Sequence, residues 1–294
     1  MIFVVGALHL DVIVTAPRLP ALDETLVGQN VRYAMGGKGG NQAVAAARMG
    51  ASVAMAGRVG SDAFGVQLLA GLRRAGIDVA AVVKGAGASG MSVAIVQAGG
   101  EYAAVIVSAE NLKIDSEDIE FPNETEILLL QNEVPEVVNV TLAARARSAG
   151  VRTVLNAAPA RALPDHLLRN LDVLVVNRGE GSSLLGQILP PRQAAKRLNE
   201  IGPASVILTL GADGLVLSEN GQVTILPAYQ VQMISAHGAG DAFIGAFAAE
   251  WARGTGLFQA ANFASAAAAL HVSTPSAQQA QINQSHVRHL MSAI

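Results

Sequence analysis

The chain has 294 residues, enough to bury one substantial core and close to the size at which a smaller second unit is expected beside it. Its 20 basic and 23 acidic residues leave a formal charge of -3, and the basic ones are scattered, so no electrostatic footprint for nucleic acid is present. The lack of cysteine excludes a disulfide framework, thiolate zinc sites and cysteine nucleophiles and is compatible with a reducing compartment; a cytoplasmic protein with a small-molecule partner is the expectation.

The chain opens on an apolar stretch, 2–14, that has no basic lead and is interrupted by His9 and Asp11; it predicts a buried first strand, not a secretory leader. Short apolar runs at 2–5, 53–56, 127–130, 153–155, 173–176 and 206–210 are each followed by a segment of helical composition, an alternation that predicts a parallel sheet. Between them the helices are expected at 41–49, 63–75, 135–149, 192–201, 239–253 and 257–272, several stopping at a glycine such as Gly50, Gly76 or Gly150. Right-handed crossovers place such helices on both faces of the sheet. Two stretches break the rhythm: 12–35, with Pro17 and Pro20, and 91–107, where 93–96 and 103–107 flank a Gly99-Gly100 turn. They predict an accessory sheet whose free face covers a substrate cleft or pairs with a second subunit. The expected division is 1–11, 36–90 and 108–294 for a large α/β unit, with 12–35 and 91–107 forming the small one. The Ala-rich run 260–272 carries Asn262, Ser265 and His271, so no membrane span is predicted.

The most informative segment for chemistry is 235–241, Ser-Ala-His-Gly-Ala-Gly-Asp, which runs directly into the apolar helical pattern of Ala242, Phe243, Ala246 and Phe247. Small residues just before a helix leave its first N–H groups bare, and the helix dipole adds positive potential there, so Gly238, Ala239 and Gly240 predict an anion hole. Asp241, one step further, is placed to take a proton from a substrate hydroxyl as a phosphoryl group arrives. A second segment, Gly-Gly-Lys-Gly-Gly-Asn-Gln at 36–42, lacks the ending of a Walker A loop and the spacing of a dinucleotide fingerprint. Its glycines instead allow the backbone close to a ligand, with Asn41 offering a donor and an acceptor to a polyol.

The stretches 36–50 (GGKGGNQAVAAARMG) and 238–241 (GAGD) resemble the two signature regions of the PfkB-type carbohydrate kinases, above all their ribokinase-like members. The likeness continues through 155–160 (LNAAPA), 177–180 (NRGE) and 208–214 (LTLGADG), in order over essentially the whole chain. It implies a ribokinase-like three-layer αβα domain with a mostly parallel sheet and a small β-sheet lid through which a homodimer forms. It also implies ATP and Mg²⁺, and phosphorylation of a primary hydroxyl of ribose or a similar small carbohydrate. On the resemblance, Gly238, Ala239 and Gly240 form the anion hole and Asp241 is the base. Asn177, Thr209, Gly211 and Gly214 face the nucleotide, and Glu180 helps hold Mg²⁺ through water. Asp11, Gly37, Asn41 and Glu133 hydrogen-bond the sugar.

Three departures stand out. His9 occupies a sugar-contacting position where such sequences commonly carry asparagine, and imidazole has a different shape and a titratable ring. Ser235 and Ala236 replace an Asp-Thr pair tied to a monovalent-cation site, and the later loop 273–280 carries Pro275 and Ser276 where a basic residue and a glycine are common. Little dependence on potassium is therefore expected. Two alternatives stay open at this level: a nucleoside kinase on the same scaffold, and a catalytically idle sugar-binding protein.

Overall fold

The computed structural model describes residues 1–97 and 102–293. The first third of the chain runs β1 (Ile2–Val5), β2 (His9–Ala16), β3 (Asn30–Gly36), α1 (Lys38–Arg48), β4 (Val53–Gly60), α2 (Ala63–Arg74), β5 (Val82–Gly85), β6 (Gly90–Gln97) and β7 (Tyr102–Val107). The middle runs β8 (Ile127–Gln131), α3 (Glu136–Ala149), β9 (Arg152–Asn156), α4 (Asp165–Leu168), β10 (Val173–Asn177), α5 (Arg178–Leu185), α6 (Pro191–Glu200) and β11 (Ser205–Thr209). The remainder is β12 (Leu215–Glu219), β13 (Gln222–Leu226), α7 (Ala239–Ala252), α8 (Leu257–Ser273) and α9 (Gln284–Ser292).

Nine strands form one sheet in the order β13-β12-β11-β10-β9-β8-β1-β4-β5, parallel except for β12 and β13. Its central strands are apolar at successive positions because helices cover both faces. Alternation along β1 shows it: Ile2 and Val4 join a core with Val44, Leu68, Phe247 and Phe263, whereas Phe3 and Val5 join a second core with Val138, Leu142 and Leu198. The three layers are thus α1, α2, α7 and α8 on one side, the sheet, and α3, α4 and α6 on the other. Each fully buried large side chain contributes about 1.5–3 kcal/mol relative to exposure.

The second sheet has the order β3-β2-β6-β7, and it is the accessory sheet that the broken rhythm predicts. Its strands reach past 12–35 and 91–107 to His9, Gly36 and Gly90. The Gly99-Gly100 turn lies outside the described residues. Among the described residues, no helix is long and apolar enough to cross a membrane.

Two expectations fail locally. The run at 206–210 is followed not by a helix but by the antiparallel β12–β13 hairpin, since Gly211 (φ 65) and Gly214 (φ 87) turn the chain straight back. The first glycine-rich segment is helical from Lys38, not from Asn41, because Gly39 packs on the backbone of Gly6, where a Cβ would lie 2.7 Å from Gly6 Cα. The sequence reading also passed over α4, α5 and α9, which are short or polar.

Strand order positions the site. β1 lies between β8 and β4, and the chain leaves β1 toward the first core, through β2, β3 and α1, but leaves β8 toward the second, through α3. Where successive connections diverge like this, a crevice opens at the carboxyl ends of the strands. The start of α1, Glu133 after β8 and the start of α7 converge there.

Candidate active site

Helix α7 begins at Gly238, whose φ of 77 is left-handed, and a Cβ there would sit 2.9 Å from His271 Nε2, so a side chain is both strained and obstructed. The Ala239 N–H donates to Ala236 O at 3.3 Å, and Ala242 is the next to bond back, to Gly238 O at 2.9 Å. Between them the N–H groups of Gly240 and Asp241 have no protein acceptor among the described residues, and a Cβ at Gly240 would meet nothing within 4 Å. Bare donors at the positive end of a 14-residue helix therefore face open space.

The Asp241 carboxylate is held from α1. Asn41 Nδ2 donates to Oδ2 at 3.2 Å, and Gln42 Nε2 donates to Oδ1 at 3.0 Å. Gln42 is fully buried and also donates to Asn156 Oδ1 at 3.0 Å, so the end of β9 joins the arrangement. Sequence reasoning assigned no role to Gln42 or Asn156; the only available signal was a glutamine beside Asn41 on an otherwise small and apolar helix.

Four cavities reach Asp241 or its helix, and three of them hold the residues expected from the sequence. One of about 730 Å³ lies between the two sheets and is lined by His9, Asp11, Gly37, Asn41 and Glu133 together with Asp241. A second, about 240 Å³, joins Asp241 and Gly240 to Asn177, Glu180 and Thr209. A third, about 280 Å³, runs along Thr209, Gly211, Gly214, Ala239 and Gly240. Every site residue expected from the sequence lines one of these three cavities, and Asp241 with Gly240 stands where they connect.

The chain matches the pfkB family carbohydrate kinases over residues 1–284. It belongs to that family. The chain is 36% identical to the ribokinase of Haemophilus influenzae over 286 residues, 94% of this chain and 93% of the relative. It is 32% identical to the ribokinase of Bacillus subtilis over 99% of both chains. The solved structure of Arabidopsis thaliana ribokinase complexed with ribose and ATP superimposes with a TM-score of 0.92 at 29% identity, covering 99% of this chain and 98% of that one. These likenesses make the chain an ATP-dependent phosphotransferase and do not favour the nucleoside-kinase alternative.

In the second cavity, Asn177 and Glu180 form a reciprocal capping box at the start of α5: Glu180 N–H donates to Asn177 Oδ1 at 2.9 Å, and Asn177 N–H donates to Glu180 Oε2 at 2.8 Å. Burial pushes the Glu180 carboxyl above the usual range. Among the described residues no group of three or more His, Asp or Glu is arranged to hold a metal ion. One carboxylate facing a cavity suits Mg²⁺, which keeps several waters and takes one or two carboxylates plus phosphate oxygens.

On the other side, Glu133 Oε2 accepts from Lys38 N–H at 2.7 Å, fixing the start of α1, and Asp11 Oδ1 accepts from Ser92 Oγ at 2.6 Å across the small sheet. His9 is only 3% exposed, and its Nε2 has no partner among the described residues. Burial lowers its pKa below 6.5, with Glu133 and Asp11 pulling the other way. The unfolded chain therefore takes up the His9 proton first as pH falls. Stability is full above 6.5 and declines as pH drops through 6.5 toward the folded value. Urea unfolding across this range is expected to show that decline shrinking in His9→Asn by up to about 1.4 kcal/mol per pH unit. Equal slopes in both proteins would show that His9 is not buried as neutral imidazole.

Proposed function

We propose that the kinase transfers the terminal phosphoryl group of ATP to a primary hydroxyl of ribose or a similar small sugar. The observation that carries this is the Asp241 carboxylate, pinned by Asn41 and Gln42 where the cavities meet and next to the bare N–H groups of α7. The acceptor binds in the larger cleft to Asp11, Gly37, Asn41, Glu133 and His9, which brings its hydroxyl to Asp241. As the hydroxyl oxygen bonds to phosphorus, its proton passes to Asp241 and the bond to the leaving ADP oxygen breaks. Charge on the transferring oxygens falls at the bare N–H groups of Gly238 and Gly240, which flank Ala239, whose own N–H donates to Ala236 O. The nucleotide lies along Asn177, Thr209, Gly211 and Gly214. Glu180 would hold Mg²⁺ through water, and the ion would there supply neutralisation of phosphate charge.

In this reading 12–35 and 91–107 serve as the lid, and 1–11, 36–90 and 108–294 as the catalytic unit. The lid also pairs two copies of the chain: Val31, Tyr33, Val105 and Val107 are exposed on it, more apolar surface than an unpartnered sheet face should carry.

The test is ATP consumption by dialysed enzyme across pentoses, hexoses and nucleosides, with and without potassium. Ribose or a close relative is expected to give the highest kcat/KM, with nucleosides inactive. Potassium is expected to change the rate by less than about twofold, because Ser235 and Ala236 supply less charge to a cation than a carboxylate does. A best substrate that is a nucleoside would overturn the acceptor assignment, and a strict potassium requirement would show that other groups build the cation site.

A further inference from the structure

The turn that delivers the chain into α7 is tied down almost entirely by the C-terminal end of α8. Ile234 N–H and Ser235 N–H both donate to Val272 O, at 2.7 and 3.1 Å. Within the turn, among the described residues, only weaker bonds occur, His237 N–H to Ser235 Oγ and Ala239 N–H to Ala236 O, each at 3.3 Å. The remaining link is His271 Nε2 to the carbonyl oxygen of His237, at 2.9 Å. That acceptor is one end of the peptide plane whose other end is the Gly238 N–H, which has no protein acceptor among the described residues.

We propose that His271 is a positioning residue for phosphoryl transfer: its Nε2–H fixes the His237–Gly238 peptide plane and so aims the Gly238 N–H at the transferring group. The proposal rests on the reading of Asp241 and the α7 start as the transfer centre. A trans peptide is planar, so holding the carbonyl on one side fixes the N–H on the other. The hold matters because glycine imposes little conformational preference of its own, and Gly238 follows directly at φ 77. The imidazole also packs on Gly238, so it limits movement of the turn by contact as well as by hydrogen bond. Since a carbonyl only accepts, the ring must carry its proton on Nε2. Arg48 from α1, His237 on the turn and Asp241 in α7 are the charged or titratable groups around it, and burial keeps the ring below its ordinary pKa, hence neutral with a single donor. The position is 30 residues beyond Asp241 in sequence and carries no motif, so nothing but the packing of α8 on α7 reveals it.

His271→Leu removes the donor but keeps comparable bulk, whereas His271→Gln restores an N–H on a flexible stem. His271→Leu is expected to lower kcat by about 10- to 100-fold, the scale of an ångström of misplacement, with sugar KM within about twofold of wild type. Its melting temperature should fall by no more than a few degrees, and His271→Gln should recover most of kcat. The idea fails if His271→Leu turns over within about twofold of wild type, or if His271→Gln is as defective as His271→Leu. It also fails if the loss of rate only parallels a collapse in melting temperature, which is what a purely structural residue would give. Asp241→Asn assayed alongside separates the two claims: normal turnover there removes the transfer centre itself, whatever the His271 variants do.

Discussion

Asp241→Asn is expected to lower kcat by about 10²- to 10⁴-fold, the usual contribution of a positioned general base. The substitution preserves shape, so α7 and its contacts should survive, but a carboxamide takes no proton from the attacking hydroxyl. Its NH₂ also points a donor where Asn41 or Gln42 now donates. Because the lost interaction belongs to the transition state, kcat and kcat/KM should fall together while calorimetric binding of sugar and nucleotide stays within a few fold. Turnover near the wild-type rate would remove Asp241 from the reaction. A rise in KM at unchanged kcat would recast it as a sugar ligand.

The second large effect concerns the distance between α1 and α7. At Gly245 a Cβ would approach Ala45 Cβ at 2.5 Å, Ala46 N at 2.6 Å and Gln42 O at 2.6 Å. Two of those atoms are backbone, so no change of rotamer relieves the clash. Gly245→Val should cost at least about 1–3 kcal/mol, the range for overpacked cores, read as a lower urea midpoint at unchanged slope. The same wedge pushes apart the helices that carry Gln42 and Asp241, so kcat should drop in the fraction that remains folded. Stability and rate equal to wild type would mean that α1 and α7 slide freely, and that the pinning of Asp241 does not depend on their spacing.

These two expectations differ in how far the sequence already contained them. The alternation of apolar runs and helical segments was enough to predict the parallel sheet with helices on both faces, and the two breaks in that rhythm were enough to predict the small sheet. Both rest on periodicity, which a chain displays locally because each strand or helix must turn an apolar face inward. Glycines at 238 and 240 before an apolar helix likewise announced bare N–H groups, since that feature is made within one turn of backbone. Asn177 and Glu180 were legible as a pair, and the capping box they form is equally local.

What the sequence could not display was who holds Asp241. Gln42 lies 199 residues away and Asn156 is 114 residues from Gln42; only the crossing of α1 over the ends of β1 and β8 and its packing on α7 bring these groups together. The β12–β13 hairpin, which closes the sheet at one edge, depends on strands recognising each other after the turn. Local pattern, then, determined the layers, the direction of the chain and the chemistry at each helix start. The relative placement of charged and amide groups within hydrogen-bonding reach was decided by tertiary packing, because side-chain complementarity between distant segments leaves no periodic trace in either one.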